Sequence, residues 1–159
     1  MNNTILANLH STKDDWRTPK DLFNALDAEY HFTLDPCSTH ENALCEKHYT
    51  QAEDGLIQNW GGEIVFMNPP YGSQISKWIQ KAYEESLNGA TVVCLIPARP
   101  DSRYWQDVIL PYAAKIQFIR GRLHFSDSKL GAGFPSAIVL FHKFNQGQYK
   151  QMTYWKERE

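Results

Sequence analysis

The chain has 159 residues and a formal net charge of −2, with a sequence pI near 6.3. A length of this order favours one domain with a single hydrophobic core, and the low net charge weighs against a protein whose whole surface binds nucleic acid tightly. No apolar run is long enough to span a membrane, no basic-then-apolar leader begins the chain, and three cysteines without repeated spacing indicate reduced thiols. These properties predict a cytoplasmic protein that does not enter a membrane.

The first part of the chain predicts one helix and one short strand. Residues 1–14 are polar and aperiodic, and we expect them to be loosely ordered. Thr18 and Pro19 are typical of a helix start, with Thr18 as the N-cap and Pro19 at the first helical position. Apolar residues then recur at helical spacing over the next three turns. A strand is predicted over residues 32–35, where a proline stops it.

Residues 36–63 are the least regular part of the chain. They predict a short helix over residues 41–48 and a turn at residues 54–56. The run Ile64–Met67 that follows predicts a short buried strand, because four apolar residues lead into prolines that cannot continue a ladder. Pro69-Pro70 therefore ends this strand in a rigid turn.

The second half alternates helices with strands, which predicts a parallel α/β sheet with right-handed crossovers. The last two strands have no long helix between them, so we expect an antiparallel strand at the edge of the sheet. The polar residues from 145 onward predict a frayed tail. The predicted elements are a helix over 76–87 closed by Asn88-Gly89, a doubly buried strand over 91–96, a helix over 101–113 bent near Pro111, a strand over 115–119, a loop over 121–135 and a strand over 136–141.

The turn Asn68-Pro69-Pro70-Tyr71 stands directly after a predicted strand. In open α/β sheets, ligands bind just outside the carboxyl ends of the strands. The turn would present there the side-chain amide of Asn68, the carbonyl of Pro69 and the ring of Tyr71. The simpler alternative is a turn that only ends a strand.

An ordered succession of motifs, from about Trp16 to Lys143, resembles the phage-associated Dam-type DNA N6-adenine methyltransferases, a compact AdoMet-dependent family. Each motif by itself is a weak signal, and their order is a much stronger one. The motifs are Trp16-x-Thr18-Pro19, Leu34-Asp35-Pro36-Cys37, Glu53-Asp54-Gly55-Leu56 with Trp60, Asn68-Pro69-Pro70-Tyr71, Leu95-Ile96-Pro97-Ala98-Arg99, Gly121-Arg122-Leu123-His124-Phe125 and Pro135-Ser136.

The resemblance implies an α/β fold, the Rossmann-like AdoMet-dependent methyltransferase fold, with a mostly parallel sheet and an antiparallel edge strand. Only about 28 residues, 36–63, separate the first acidic motif from the catalytic strand, and two full βα units need more than this. The second and third strands are therefore expected to be short or missing. The expected organisation is a flexible N-terminus over 1–14, a single methyltransferase domain over 15–144 and a polar C-terminal tail over 145–159.

The resemblance assigns catalysis to Asn68, Pro69, Pro70 and Tyr71. The exocyclic N6 of adenine is a poor nucleophile because its lone pair is delocalised into the ring. Two acceptors, the side-chain oxygen of Asn68 and the carbonyl of Pro69, would bind its two hydrogens and favour a geometry in which the lone pair is available. Tyr71 would stack on a flipped-out base, a contact worth roughly 1–3 kcal/mol. Direct displacement on AdoMet then requires no metal and no covalent enzyme intermediate.

The cofactor contacts implied by the resemblance come from three motifs. Asp35 would reach the methionine ammonium directly or through water, and Asp54 would suit the N6 amino group of the cofactor's adenine. Each of these residues also has a simpler interpretation. Asp35 could belong to a turn that ends a strand, Asp54 to a surface turn, and Thr18 could be a plain N-cap. The first motif also lacks the Gly-x-Gly that usually lets backbone approach the cofactor closely. The other implied contacts are Trp16, Thr18, Pro19, Pro36 and Cys37.

Four residues with metal-ligand chemistry lie close together at Cys37, His40, Cys45 and His48. Paired Cys and His ligands can close a tetrahedral zinc site. The usual fingers, however, separate their two pairs by about twelve residues or more, and this segment overlaps the presumed cofactor loop. We therefore predict no metal, with Cys45 in a small core and the histidines exposed.

Basic residues follow the predicted strands that border the catalytic turn, and they are the candidates for contacts to DNA phosphates. Arg122 is the one that we expect inside the site, and ordinary solvated side chains are the alternative for each. No stretch remains for a separate recognition domain, so double-stranded DNA would be read by the 121–135 loop, the 36–60 segment, the termini or the second subunit of a homodimer. The candidates are Arg99, Arg103, Arg120, Arg122 and Lys129.

Other functions stay open at this point. The same catalytic turn serves cytosine N4 and protein glutamine methyltransferases, although Asn68 favours adenine over cytosine. RNA adenine is a further acceptor that the sequence does not separate from DNA. A different class is a catalytically inactive module that binds AdoMet or nucleic acid. If the chain is phage-encoded, it would act in the cytoplasm of the bacterial host.

Overall fold

The computed structural model describes residues 16–126, 128–144 and 151–155. The expectation of loose order over residues 1–14 therefore lies outside the described residues, as does most of the predicted tail. Five strands form one sheet in the order β1-β2-β4-β3-β5. The strands are β1 (Ile64–Met67), β2 (Thr91–Pro97), β3 (Lys115–Ile119), β4 (Ser136–Phe141) and β5 (Gln151–Trp155).

The sheet is mixed. β1 pairs with β2 and β3 pairs with β5 in parallel, whereas β4 is antiparallel to both of its neighbours, β2 and β3. The prediction of an antiparallel edge strand is thus correct in direction and wrong in position, because β4 lies inside the sheet. Its residues are buried at every position except Leu140, which is half-buried, and a strand of this kind needs a neighbour on each side. β5, at one edge, was not predicted from the polar sequence around it.

The segment predicted as a strand over residues 32–35 lies beside β1 but pairs only through isolated bridges. Leu34 bridges to Val65 and Asp35 bridges to His48, both in parallel, and the amide of Phe66 donates to the carbonyl of Leu34 at 3.0 Å. The structure describes all of residues 36–63. This segment contains no strand apart from the bridge at His48, and its helical content is one short 3₁₀ helix, Gly55–Ile57. The first acidic motif therefore leads to β1 without further strands between them.

Helices cover both faces of the sheet. Helix α1 (Lys20–Tyr30) packs through Leu22, Phe23 and Leu26 on one face, and helix α2 (Ile75–Leu87) packs through Trp78 and Ile79 on the other. Successive residues of β1 and β2 point alternately into these two cores, as the pleat requires. The turn Asn68-Pro69-Pro70-Tyr71, which we call the catalytic turn after the role predicted for it, consequently leaves a strand that is buried on both faces.

Three helix predictions differ from the structure. Pro19 is the N-cap residue of α1, and no side chain caps this helix, because the hydroxyl of Thr18 is occupied elsewhere. Residues 41–48 form turns and bends instead of a helix. The Leu44 amide donates to the Asp35 carboxylate at 3.1 Å, so it is not available for a hydrogen bond within a helix. The helix predicted over 101–113 becomes a π-helical turn, Trp105–Ile109, followed by the short helix α3 (Leu110–Tyr112). Pro111 lacks the N–H that a regular helix uses.

A buried ion pair fixes α2 against the irregular segment. Glu85 is 6% exposed, accepts from the backbone N–H of Trp60 at 2.9 Å and pairs with Lys81 at 2.7 Å. We expect Glu85→Ala to lower the free energy of unfolding by about 3 kcal/mol, because it leaves the Lys81 ammonium and the Trp60 amide without this acceptor. Urea denaturation would measure the change. Glu84→Ala, one residue earlier on the exposed face of α2, is the matched control and should change stability by less than about 0.5 kcal/mol.

None of the helices among the described residues has the length and apolar character needed to cross a membrane.

Candidate active site

The catalytic turn begins where β1 ends. Asn68 follows Met67, the last residue of the strand, and its side-chain Nδ2 donates to the carbonyl of Trp16 at 2.6 Å and to Oγ1 of Thr18 at 3.0 Å. Its Oδ1 is buried and has no hydrogen-bond partner among the described residues. A buried acceptor without a partner is energetically unfavourable unless a ligand uses it. Among the described residues, the amide oxygen of Asn68 is therefore an acceptor that is available to a ligand.

The segment that holds this amide is tied to a distant loop. The backbone N–H of Ser126 donates to the carbonyl of Arg17 at 3.0 Å, and its hydroxyl donates to the carbonyl of Thr18 at 2.8 Å. Thr18 is 9% exposed. The N-terminal motif and the loop after β3 therefore enclose Asn68 from the two ends of the chain.

Four aromatic rings surround the turn, and we call them the aromatic cluster: Trp16, Tyr71, Phe125 and Phe134. The ring of Phe134 lies 5.7 Å from that of Tyr71 and 5.2 Å from that of Trp16, both edge-on, and Phe125 lies 5.1 Å from Trp16. The hydroxyl of Tyr71 donates to the carbonyl of Leu95 at 3.1 Å, and burial raises the pKa of this phenol well above its usual value. Tyr71 is accordingly a neutral, fixed ring beside Asn68.

Asp35 is buried at the end of its extended segment, with 4% of its surface exposed. Its carboxylate accepts from the backbone N–H of Leu44 at 3.1 Å and from that of Cys37 at 3.4 Å. Burial raises the pKa of this carboxyl, while the two backbone donors and nearby His48 act in the opposite direction. The carboxylate therefore organises the following loop, in addition to any role that it has toward a ligand.

Cys37 connects this loop to the catalytic turn. Its half-buried thiol donates to the backbone carbonyl of Asn68 at 3.3 Å. Pro69 is buried and Pro70 is half-buried, so the turn is enclosed by the loop and by its own prolines. The prediction that the first acidic motif and the catalytic turn share one site is consistent with this contact.

The second acidic motif lies against the first. A Cβ added to Gly55 would lie 2.0 Å from the carbonyl oxygen of Pro36, so only glycine allows the two backbones to approach this closely. Asp54 adopts a left-handed backbone with φ 55°, and its carboxylate accepts from the amide of Leu56 at 3.1 Å. The indole of Trp60 donates to the carbonyl of Gly55 at 3.0 Å. Both acidic motifs thus meet at one point beside the catalytic turn.

Comparison with known proteins decides between the families that the sequence left open. The model of the DNA N-6-adenine-methyltransferase (Dam) family matches residues 7–159. The chain belongs to the Dam family. This confirms the family predicted from the ordered motifs, and with it an adenine-specific DNA methyltransferase.

Three similar proteins illustrate the range of this likeness. The chain is 28% identical over 166 residues to the DNA N-6-adenine-methyltransferase of Escherichia phage T1, covering 91% of this chain and 69% of that protein. It is 30% identical over 78 residues to YfdM of Escherichia coli strain K12, whose name describes a methyltransferase, covering 45% of this chain and 86% of that one. The third is a solved structure from Vibrio vulnificus YJ016, described as the modification subunit of a type I restriction enzyme. It aligns with 96% of this chain and 49% of its own, with a TM-score of 0.48 and 9% sequence identity. The chain thus spans about half the length of that structure, a likeness too distant to assign the fold.

The activity of the Dam family implies a methyl donor, and the chemistry of the site fits AdoMet. AdoMet carries an ammonium and an adenine amino group, and both are donors to which carboxylates such as those of Asp35 and Asp54 can bind. The loops that carry these acids also line an open, shallow depression of about 620 Å³ on the surface, and none of the predicted cofactor residues is among its lining residues. Its lining residues are Ser38, Thr39, His40, Thr50, Gln51 and Ala52.

The four residues of the zinc hypothesis are engaged in other contacts. Nδ1 of His40 lies 2.9 Å from Nε2 of His48, and the Cys37 thiol bonds to the Asn68 carbonyl. Burial, with help from Asp35, raises the pKa of the Cys45 thiol to about 12, which disfavours the thiolate that binds metal. Within the described residues, no three His, Cys, Asp or Glu side chains are placed to hold a metal ion.

The basic candidates all lie on the surface of this Dam-family chain. Arg122 is exposed, and its expected position inside the site stays a prediction. Residues 122–125 alternate in direction, and Leu123 and Phe125 take the inward positions, with 0% and 1% exposure. Arg99 contacts the aromatic cluster, with its guanidinium 5.8 Å from the ring of Phe134. The exposed candidates are Arg99, Arg103, Arg120, Arg122 and Lys129.

Sequence reasoning gave no role to three residues that the fold brings to Asn68. Ser126 holds Thr18 across 108 positions of sequence, and Phe125 and Phe134 complete the aromatic cluster. Phe125 lies in one of the family motifs, which was a signal for it. For Ser126 and Phe134 the sequence carries only the general signal of a loop that follows a strand.

Proposed function

We propose that this chain transfers a methyl group from AdoMet to the exocyclic N6 of adenine in double-stranded DNA, by direct displacement. The observation that carries this proposal is the Asn68 amide. Both of its hydrogens are committed to Trp16 and Thr18, and its buried oxygen has no partner among the described residues. This is the arrangement that an acceptor for an amino group requires.

The chemistry follows from the acceptors of the turn. Oδ1 of Asn68 and the carbonyl of Pro69 accept the two N6 hydrogens, which withdraws the lone pair from the adenine ring and leaves it available as the nucleophile. AdoMet, when bound, supplies an electrophilic methyl carbon. The two prolines keep the acceptors in place, so that little reorganisation accompanies the step, and one N6 proton passes to water afterwards. Tyr71 supports the flipped base by stacking.

The proposed cofactor site is formed by the motifs that meet beside the turn. Asp35 contacts the methionine ammonium directly or through water, and Asp54 accepts from the adenine amino group. The N-terminal motif and the Asp35 loop supply the remaining contacts. The close approach of Gly55 to Pro36 supports this assignment, since it brings both acids to one place. The remaining contacts are assigned to Trp16, Thr18, Pro19, Pro36 and Cys37.

The reaction is proposed to be carried by a single domain with a Rossmann-like methyltransferase fold, and this domain extends past the predicted boundary at residue 144, because β5 belongs to the same sheet. In the described part of the chain, strands with parallel neighbours at both ends of the sheet and helices on both faces support this fold. β5 adds a strand to it from the tail over 145–159. The proposed setting is the cytoplasm of a bacterial host, and a homodimer would supply additional surface for reading DNA.

The proposed DNA surface is the rim of the turn, with Arg99, Arg103, Arg122 and Lys129 as phosphate contacts. We expect Arg122→Ser with Lys129→Ser to weaken DNA binding and to reduce the slope of log K against log salt by about 2, since each phosphate contact contributes roughly 0.9. Fluorescence anisotropy with a labelled duplex at several salt concentrations would measure this slope.

The matched control for this surface is Lys20→Ser with Lys77→Ser, which removes the same charge from exposed positions on α1 and near the start of α2. An unchanged slope for the double variant at positions 122 and 129, or an equal loss in the control, would place the DNA elsewhere on the surface.

The experiment that tests the function is methyl transfer from labelled AdoMet to unmethylated double-stranded DNA, followed by nucleoside analysis. Label recovered as N6-methyladenine supports the proposal. Label recovered as N4-methylcytosine, or only with RNA or protein as the acceptor, would contradict it. AdoMet binding without transfer to any of these acceptors would indicate a module that binds but does not catalyse.

A further inference from the structure

The amide of Asn68 is held by a short segment near the start of the described chain. Trp16 offers its backbone carbonyl at 2.6 Å and Thr18 offers its hydroxyl oxygen at 3.0 Å. An amide nitrogen has two hydrogens, so these two acceptors use both of them. The remaining polar atom, Oδ1, is left for the reaction.

These contacts also determine which way the amide faces. Turning the Asn68 side chain by 180° would place its oxygen against the carbonyl oxygen of Trp16, and two acceptors in that position cannot bond. The Thr18 hydroxyl can either donate or accept, so it adapts to the amide, and the Trp16 carbonyl enforces the orientation. Of the two contacts, only that of Thr18 belongs to a side chain and can be removed by substitution.

The Thr18 hydroxyl is itself kept in position. Thr18 is 9% exposed, and its carbonyl accepts from the hydroxyl of Ser126 at 2.8 Å. The preceding carbonyl, that of Arg17, accepts from the Ser126 amide at 3.0 Å. Two bonds from one residue therefore hold the backbone on which the Thr18 side chain stands.

We propose that Thr18 is a positioning residue for catalysis. Its hydroxyl accepts the second Nδ2 hydrogen of Asn68 and thereby holds the amide in the orientation that the Trp16 carbonyl sets, with Oδ1 available to the adenine amino group, and Ser126 holds Thr18 in place. This assigns the Thr18 hydroxyl a role in the chemical step, so that the cofactor contact proposed above for Thr18 falls to its backbone. The proposal rests on the proposed function, since it needs an amino group at Oδ1.

Two substitutions at Thr18 separate the roles. Thr18→Val has nearly the same shape and removes the hydroxyl, and Thr18→Ser keeps the hydroxyl. We expect Thr18→Val to lower kcat about tenfold at saturating AdoMet and DNA, which corresponds to the loss of roughly one hydrogen bond in the transition state. The AdoMet Kd, measured by isothermal titration calorimetry, should stay within about twofold of the wild-type value, and Thr18→Ser should restore most of kcat.

Two further variants complete the test. Ser126→Ala should lower kcat in the same direction by a smaller factor, about two- to fivefold, because it loosens Thr18 without removing the hydroxyl. Thr91→Val, at the opposite end of β2 from the catalytic turn, makes the same chemical change elsewhere and should leave kcat and Kd unchanged. If Thr18→Val does not fold, Thr18→Ala with the same two readouts replaces it.

The possible outcomes are distinct. A raised AdoMet Kd with unchanged kcat at saturation would make Thr18 a cofactor ligand and overturn the proposal, as would a Thr18→Val enzyme equal to the wild type. Failure of Thr18→Ser to restore kcat would show that the hydroxyl is not the relevant group. If the wild type itself transfers no methyl group to DNA, the proposed function fails, and this inference fails with it.

Discussion

Asn68→Ala is expected to lower kcat for methyl transfer by about 10²–10³-fold, the range found when one preorganised polar group is removed from an active site. The reason is the buried Oδ1, which has no partner among the described residues because the Trp16 and Thr18 contacts engage the amide through Nδ2. The AdoMet Kd should change little, because this oxygen serves the acceptor base. Single-turnover transfer of labelled methyl groups to DNA, beside calorimetry with AdoMet, measures both quantities.

The matched control is Asn24→Ala, which removes an amide from the exposed face of α1. It should retain wild-type kcat. An Asn68→Ala enzyme with more than about a tenth of wild-type activity would contradict the role of Oδ1, because losing a positioned acceptor costs more than this. A large loss of AdoMet affinity would instead move Asn68 into the cofactor site.

Gly55→Ala is expected to lower the free energy of unfolding by about 3 kcal/mol, at the upper end of the usual cost of overpacking. Its Cβ would lie 2.0 Å from the carbonyl oxygen of Pro36 and 3.1 Å from the ring of Trp78. The first of these atoms is backbone, so it cannot rotate away, and the loops that carry Asp35 and Asp54 must separate. We therefore also expect weaker AdoMet binding. Urea denaturation gives the stability and calorimetry gives the Kd.

Gly133→Ala provides the comparison for this variant. No described atom lies within 4 Å of the position of its Cβ, and its backbone is not left-handed. Its stability should stay within about 0.5 kcal/mol of the wild-type value. Equal stability of the two variants would show that the 55–36 contact relaxes without cost. Reduced stability with an unchanged AdoMet Kd would separate this contact from cofactor binding.

Periodic segments of this chain could be assigned from the sequence alone. Helix α2 was predicted to within one residue at its start. It was predictable because its apolar residues recur at helical spacing and because Gly89, with φ 97°, follows its end. β2 and β3 lie where apolar runs predicted them. In these segments the local pattern and the tertiary structure require the same conformation.

Irregular segments were predicted less well, because distant groups override local preference there. Residues 41–48 have some helical character, yet the Asp35 carboxylate takes the Leu44 amide for itself. The sequence predicts Thr18 as an N-cap, yet its hydroxyl accepts from the side-chain amide of Asn68, 50 positions away. The position of β4 between β2 and β3 depends on which strand edges remain open, which no single segment determines.

The sequence by itself determined α1, the order of the elements from β1 to β4, the proline turn after β1 and the family to which the chain belongs. Its evidence was local, a strand that meets two prolines and a series of short motifs. Only the tertiary structure decided which way the Asn68 amide faces and that Ser126 and Phe134 belong to the site. Hydrogen bonds of about 3 Å between residues 50 to 108 positions apart have no local sequence pattern. They form only when the segments around Thr18 and Ser126 fold onto the carboxyl end of β1.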